Sequence, residues 1–394
     1  MSRVLIIVSH PIPYVVPLFQ EMVARGWDFQ VAYCDRVGLE AYQDVDFGQT
    51  IAWDVPLLAG YPSVFVPNRS HRPGLGRFWG LVNPRLWPMV AEFDVVICFT
   101  GYVYASFWWA ALSAKWHRRP FIFSTDASSL GSRFGGGWKG WMKPLILPWL
   151  YRVGDALFAA SQAGVELLAG LGIERDRIFF TPFVVDNAGW LAQAAAVDRA
   201  QVRASWGIPD DAPVVIFCAK LQPWKRPQDV LAAFLAADVP ESYLLFVGDG
   251  TLRAELATTA QGCDRVRFLG FCNQSQLPAI YTAADLLCLG SDYEPFGVVV
   301  NEAMLCGCGV VVSDRVGARE LVNPGVTGEI YPCGDRTTLA AIFRDLLTDP
   351  ARLHQMGQAA RDRMTHWSPR ENVANQEQAI QHVMAQLKSG FNPP

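Results

Sequence analysis

Ser291-Asp292-Tyr293-Glu294-Pro295-Phe296-Gly297-Val298-Val299-Val300-Asn301-Glu302-Ala303-Met304, residues 291–304, follow an apolar run at 285–289 and lead into a helical pattern. A buried strand feeding a helix is the repeating step of a doubly wound α/β sheet, whose ligands bind beyond the carboxyl ends of its strands. With the helix expected to begin near Gly297, its unpaired N–H groups and positive dipole end point outward and suit a diphosphate. Gly297 would let that ligand approach the backbone, and Val298 follows it at the same mouth. Glu294 then lies just before the helix, whereas Glu302 lies more than one turn inside, on a face otherwise carrying Val298, Val299 and Met304. A carboxylate so placed wants hydroxyl partners, so Glu302 is assigned to ribose hydroxyls and Glu294 to the hydroxyls of a transferred sugar. Solvated helix carboxylates would explain either Glu alone; two of them spaced around Pro-Phe-Gly argue against that.

Working outward, the same step recurs along the chain. Short β-branched or aromatic runs at 3–9, 28–34, 94–99, 120–124, 155–160 and 177–181 alternate with helical stretches. A second series occupies 213–219, 242–247, 266–269, 285–289, 309–313 and 328–331. Each series predicts a parallel sheet covered on both faces. Between them 187–212 is Ala-rich, then polar, then turn-like at Gly207-Ile208-Pro209-Asp210-Asp211. The expected domains are 1–205 and 206–368, with helices at about 335–347 and 350–365 and a last one, 369–388, packing back on the first domain so that 369–394 forms a separate C-terminal piece. At 394 residues the chain has room for two cores.

The loop after the first strand of the second series reads Ala219-Lys220-Leu221-Gln222-Pro223-Trp224-Lys225-Arg226-Pro227. Lys220 and Lys225 are candidates to neutralise a pyrophosphate leaving group as its charge grows; Arg226 is read as a solvated residue starting the next helix. Gly248-Asp249-Gly250 closes a further strand as a glycine turn. Composition narrows the classes: 51% apolar and 18% charged residues exclude disorder, and a net charge of −4 leaves no broad basic face for nucleic acid. The nine scattered cysteines read as buried free thiols of a reducing, cytoplasmic compartment. No export signal or uninterrupted spanning run is evident.

Together these motifs resemble glycosyltransferase family 4, the retaining group with the GT-B fold. Glu294 and Glu302, separated by seven residues with Pro-Phe-Gly between, match its carboxylate motif, and Ala219-Lys220-Leu221 with Lys225 matches its Gly-Arg-Leu and Lys, Lys replacing Arg. Phe268-Leu269-Gly270-Phe271 precedes the expected base pocket, and Thr181-Pro182-Phe183-Val184-Val185-Asp186 matches the exit from the first domain. The resemblance implies two facing Rossmann-like domains with a cleft between them. It implies a retaining transfer from a nucleotide-sugar, UDP favoured over GDP, to a hydroxyl acceptor of saccharide, lipid-linked or small-molecule type. Lys225, Glu294, Lys220 and Asp126 are then the catalytic candidates. Lys220, Lys225, Phe271, Glu294, Phe296, Gly297, Val298 and Glu302 bind the donor. No cofactor or metal is implied, since the nucleotide-sugar is a substrate and front-face attack needs no protein nucleophile.

The first half departs further from the pattern. A Pro-rich Ser9-His10-Pro11-Ile12-Pro13-Tyr14 stands where many members have a glycine-rich loop, and Ser124-Thr125-Asp126-Ala127-Ser128-Ser129 stands where many have a His. Asp126 is an acceptor-site group or a helix N-cap; His10 is a cleft residue or a packed loop His. Asp44-Val45-Asp46 matches a metal-binding D-x-D, but no apolar strand precedes it and it reads as loop. The stretch 133–152, with Trp138, Lys139, Trp141 and Lys143 before an apolar run, reads either as a peripheral contact with the inner face of a membrane or as a core helix; Trp108-Trp109 reads as core. The rivals are a nucleotide-sugar epimerase or phosphorylase of similar fold and a non-catalytic nucleotide-sugar binder. A nicotinamide dehydrogenase is disfavoured because the first turn lacks G-x-G-x-x-G.

Overall fold

Continuous apolar runs, rather than alternating ones, make the strands, because helices cover both faces of each parallel sheet. In the computed structural model, which describes residues 2–44, 49–130 and 138–389, all five residues of the first strand, β1 (Val4–Val8), are buried. After it come β2 (Phe29–Tyr33), the short β3 (Tyr42–Asp44), β4 (Gln49–Ile51) and β5 (Ser63–Phe65), then β6 (Val95–Cys98), β7 (Phe121–Thr125), β8 (Ala156–Ala159) and β9 (Ile178–Phe180). The helices of this half are α1 (Val16–Ala24), α2 (Leu86–Val90), α3 (Ala105–Trp116), α4 (Trp138–Tyr151) and α5 (Gln162–Gly170). The sheet runs β5-β2-β1-β6-β7-β8-β9, so strand order reverses beside β1. Its pairings are parallel, for example Ile6 with Val31 on one side and with Ile97 on the other. The three-residue edge strand β5 has no counterpart among the sequence-read strands, and β3 and β4 pair only with each other.

The second half repeats the plan. Helices α6 (Asn187–Ala195) and α7 (Arg199–Ser205) lead to β10 (Val214–Cys218), α8 (Pro227–Ala237), β11 (Tyr243–Val247), α9 (Arg253–Thr259) and β12 (Val266–Gly270). Then follow α10 (Leu277–Ala283), β13 (Leu286–Leu289), α11 (Val299–Leu305), β14 (Gly309–Ser313), β15 (Gly328–Tyr331), α12 (Arg336–Leu347), α13 (Pro350–Arg363) and α14 (Pro369–Lys388). The sheet order β12-β11-β10-β13-β14-β15 reverses beside β10.

Two units emerge: Met1–Tyr42, Pro56–Val184 and Pro369–Pro394 form one; Gln43–Val55 and Val185–Ser368 form the other. The division falls after Val184 and not at 205 because α6 and α7 pack on α10 and α11. The excursion 43–55 also belongs with the second unit, where the Asn273 side-chain amide donates to the Ala52 carbonyl at 2.6 Å. Within the first unit, α14 lies on α1 and β9, and Asn372 donates to the Pro182 carbonyl at 2.6 Å. All nine cysteines are unbridged. Among the described residues no helix is long and apolar enough to cross a membrane.

One buried cation ties the start of the second unit together. Arg203 of α7 is 1% exposed. It donates to the carbonyls of Ala283 at 2.8 Å, Asp210 at 2.6 Å and Ala212 at 2.7 Å, and to the Asp285 carboxylate at 2.7 Å. Arg203→Met should leave that carboxylate and three carbonyls short of a donor, costing roughly 3 kcal/mol, read as a lower urea midpoint; an unchanged midpoint would refute this role.

Candidate active site

Because β11 and β12 lie to one side of β10 while β13 and β14 lie to the other, the loops leaving β10 and β13 part and leave a crevice between them. The β10 loop carries Lys220 and Lys225; the β13 loop carries Glu294. The two are joined where the Asp292 amide donates to the Trp224 carbonyl at 2.9 Å and where the Lys225 ammonium is ion-paired with the Glu294 carboxylate. Both partners are largely buried, at 16% and 14% side-chain exposure, so the pair is not the weak surface kind.

The glycine turn is a structural part of this mouth. Gly248 and Gly250 have φ of +129° and +156°, and a Cβ on either would lie 2.2 Å from the Ala219 carbonyl oxygen or 2.5 Å from that of Leu221. The Leu221 amide donates to the Asp249 carbonyl at 2.8 Å, and the Leu252 amide to the Leu221 carbonyl at 3.0 Å. The lysine loop is thereby laid along the turn, leaving no room for any larger residue.

The carboxylate loop is fixed from the other side by a segment that the sequence reading passed over. Gly317 donates its amide to the Glu294 carbonyl at 2.9 Å, and Ala318 donates to that of Phe296 at 2.7 Å. A Cβ on Gly317 would sit 2.0 Å from the Pro295 carbonyl oxygen. Gly297 has φ +101° and is closely packed by Leu289, Glu294 and Val316, so its glycine is required by the turn itself. The helix expected to open near Gly297 begins at Val299, with Val298 as its N-cap, and spans seven residues. Glu302 therefore stands in its first turn, not deeper. Phe296, read as donor-binding, is 2% exposed with its ring stacked on Trp367 at 6.4 Å between centroids. Its side chain packs within the second unit beside the loop. Phe271 is half-buried just beyond β12.

Glu302 is 5% exposed and accepts a hydrogen bond from the Tyr281 hydroxyl at 3.1 Å. Burial pushes its carboxyl up to about 7, against the smaller opposing effects of hydrogen bonds from Tyr281 and Gln274. Neither partner stood out in the sequence, because both come from the loop and helix after β12. Arg226 is also not the solvated residue expected. It adopts a left-handed conformation at φ +53° and pairs with Asp229, which is 3% exposed and takes a second cation from Arg336 at 2.5 Å. A guanidinium nitrogen of Arg226 lies 3.9 Å from Asp292, so this cluster braces both loops from behind.

In the first unit the reversal beside β1 places His10 at the corresponding position. Burial lowers the His10 pKa to about 4, with Asp35 opposing, so the imidazole is neutral near pH 7; its Nδ1 lies 2.9 Å from the Ser9 hydroxyl. Asp126 follows β7, two strands away, and no described helix starts there, which removes the N-cap reading. The carboxyl reaches solvent, yet the protein around it disfavours the charged form and raises its pKa. Tyr14, whose ring packs edge-on to Phe183 at 5.2 Å, has its phenol pushed up to about 12 by burial and by Asp126.

Among the described residues no cluster of His, Cys, Asp and Glu could hold a metal ion. Asp44 ends β3, while Val45 and Asp46 lie outside the described residues, so the D-x-D has no structural account.

Residues 198–363 match the family model "Glycosyl transferases group 1", and residues 11–183 match "Glycosyl transferase 4-like domain". An N-acetyl-alpha-D-glucosaminyl L-malate synthase of Bacillus anthracis is 31% identical over 199 residues, 49% of this chain and 51% of that protein. A D-inositol 3-phosphate glycosyltransferase of Catenulispora acidiphila is 36% identical over 214 residues, 50% of each. The chain thus spans about half the length of the curated relatives it matches. In fold it is similar to Alr3699/HepE of Anabaena, solved with UDP-glucose, at TM-score 0.73 and 21% identity over 98% of this chain and 100% of that one.

The Glu302 carboxyl supplies a pH test. With its folded pKa near 7 and an ordinary unfolded value of 4.5, the folded state holds the extra proton between those limits. Stability should therefore fall as pH rises through that window, by up to about 1.4 kcal/mol per pH unit, and level off above it. Denaturation of wild type and Glu302→Gln at several pH values checks this; parallel curves would show that the carboxyl is not perturbed.

Proposed function

This chain belongs to the group 1 glycosyltransferases, family 4, with the GT-B fold, and on that premise we propose that it is a retaining, metal-independent enzyme. It moves a sugar from a nucleotide-sugar, UDP-linked before GDP-linked, to a hydroxyl of a saccharide or lipid-linked acceptor. The observation that carries this reading is the largely buried Lys225–Glu294 pair at the switch point, with Lys220 on one of its loops and Glu302 beyond it. Two ammonium groups suit a diphosphate whose negative charge grows as the glycosidic bond breaks. Glu302 accepts the ribose hydroxyls, and Glu294 accepts those of the sugar once the diphosphate takes over Lys225. Phe271, after β12, borders the base. No protein nucleophile is needed, because the leaving phosphate takes the acceptor proton while the new bond forms on the same face. Charge compensation by the two lysines leaves no requirement for a metal.

The first unit supplies the acceptor side. A raised Asp126 pKa and a neutral His10 favour hydrogen bonding to uncharged hydroxyls over binding an anion. The relatives named above are, by their names, a synthase of N-acetyl-alpha-D-glucosaminyl L-malate and a glycosyltransferase of D-inositol 3-phosphate. A non-catalytic binder or a nucleotide-sugar epimerase or phosphorylase would share the nucleotide mouth but would show no acceptor-dependent release of nucleotide.

Calorimetry with UDP, GDP and dTDP is the direct test. UDP should bind, and Glu302→Ala should weaken it by about 1–3 kcal/mol by removing the acceptor of two hydroxyls; equal affinity in the variant would remove Glu302 from the ribose. Lys225→Ala should lower kcat about 100-fold or more while weakening donor binding less, and an equal loss in both would make Lys225 a binding residue only. EDTA should leave the rate unchanged, whereas a loss restored by manganese would overturn metal independence.

A further inference from the structure

Helix α3 is apolar on both sides. Phe107, Ala110, Ala111 and Ala114 enter the core of the first unit, while Trp109, Leu112 and Trp116, three and four residues apart, form an outward stripe exposed by 36%, 58% and 74%. An exposed helix of an ordinary globular surface would be polar there. The expectation that Trp109 is core is thus corrected, although Trp108 is half-buried and donates its indole N–H to the Tyr102 carbonyl at 3.0 Å. Trp87 of α2 widens the stripe, with ring centroids 6.1 Å from Trp109 and 6.3 Å from Trp116. Helix α4 does the same: Leu147, Leu150 and Tyr151 point inward, and Leu145, Ile146 and Trp149 point outward.

These helices are neighbours. Helix α3 connects β6 to β7 and α4 connects β7 to β8, consecutive parallel strands, so right-handed crossovers put both on one sheet face, and both feed the same core cluster. Residues 133–137 and the side chains of Trp138, Lys139 and Trp141 lie outside the described part and carry none of this.

Charge follows the same stretch. With Arg133 and Lys139 left out, residues 69–152 hold nine Lys and Arg against three Asp and Glu, a local excess of six positive charges in a chain of net charge −4. Arg85 and Arg118 are exposed, and the Arg152 guanidinium lies 5.8 Å from the Trp149 ring centroid. Ten of the sixteen exposed large apolar side chains among the described residues fall in this one stretch, so grease and positive charge coincide.

We propose that this face of the first unit seats on an anionic lipid bilayer, its exposed tryptophans and leucines entering the headgroup region while the arginines meet lipid phosphates. Trp with Lys and Arg is the pairing that the membrane–water interface selects. The threefold excess of cations over carboxylates favours an anionic sheet over a protein partner of mixed charge. The inference does not depend on the donor, the acceptor or catalysis.

Flotation of the full chain with vesicles of phosphatidylcholine alone, or with about a third phosphatidylglycerol, tests it. The protein should float with the anionic vesicles, less so at high salt, with a blue shift of Trp emission. Trp116→Glu combined with Trp149→Glu should weaken binding about tenfold or more. Arg85→Glu combined with Arg118→Glu, at two exposed positions, should reduce the preference for anionic lipid by about tenfold, both variants melting as wild type does. Absence of flotation, unchanged binding by both variants, or a lipid-free dimer dissolved by the Trp pair would overturn the proposal.

Discussion

The reversal of strand order beside β10 is the constraint on which the second unit's chemistry depends. Loops leaving adjacent parallel strands that wind in the same direction would cross over the sheet and cover each other. Where the winding direction changes, they part, and their side chains face one opening. Lys225 and Glu294 are 69 residues apart in sequence, yet the adjacency of β10 and β13 makes them partners. The glycines at 248, 250 and 317 belong to the same constraint, since each lets one loop lie against the backbone of another.

The architecture was legible because buried parallel strands are continuous apolar runs bounded by turn residues. All twelve strands read from the sequence are present, each within a residue or two of its expected limits. What escaped was β5, three residues with an exposed Val64 that no longer look like a core strand, and the β3–β4 ribbon, whose strands are three residues each and pair only with one another. In the site, Glu294, Glu302 and the two lysines were legible as motif residues. Tyr281, Arg226, Asp229 and the 316–318 loop were not, since their roles consist of contacts with residues far along the chain. Trp109 reads as core but is exposed, because helical spacing fixes which residues share a face, but not which face the rest of the fold covers.

The two carboxylates meet opposite electrostatic problems. Glu294 lies against the Lys225 ammonium, whereas Glu302 is met by the Tyr281 hydroxyl and Gln274 and is driven by burial towards its neutral form. Burial without a counter-ion is costly unless hydrogen bonds replace the lost water. On the proposed reading a ribose brings two hydroxyls to Glu302, adding donors that favour the carboxylate, so nucleotide binding and deprotonation reinforce one another.

Lys225 then has a reason to be paired while no donor is bound. An ammonium left alone at 16% exposure would lose hydration without compensation, and Glu294 supplies that compensation at the same mouth. On the proposed reading a diphosphate would give Lys225 a more highly charged anion in exchange, and Glu294 would be freed to accept hydrogen bonds from sugar hydroxyls. The ion pairs among Arg226, Asp229, Arg336 and Asp292 tie both loops together and would hold them in place during that exchange. Preorganisation of this kind is what makes a fixed charge more effective at a developing leaving group than a mobile one in water.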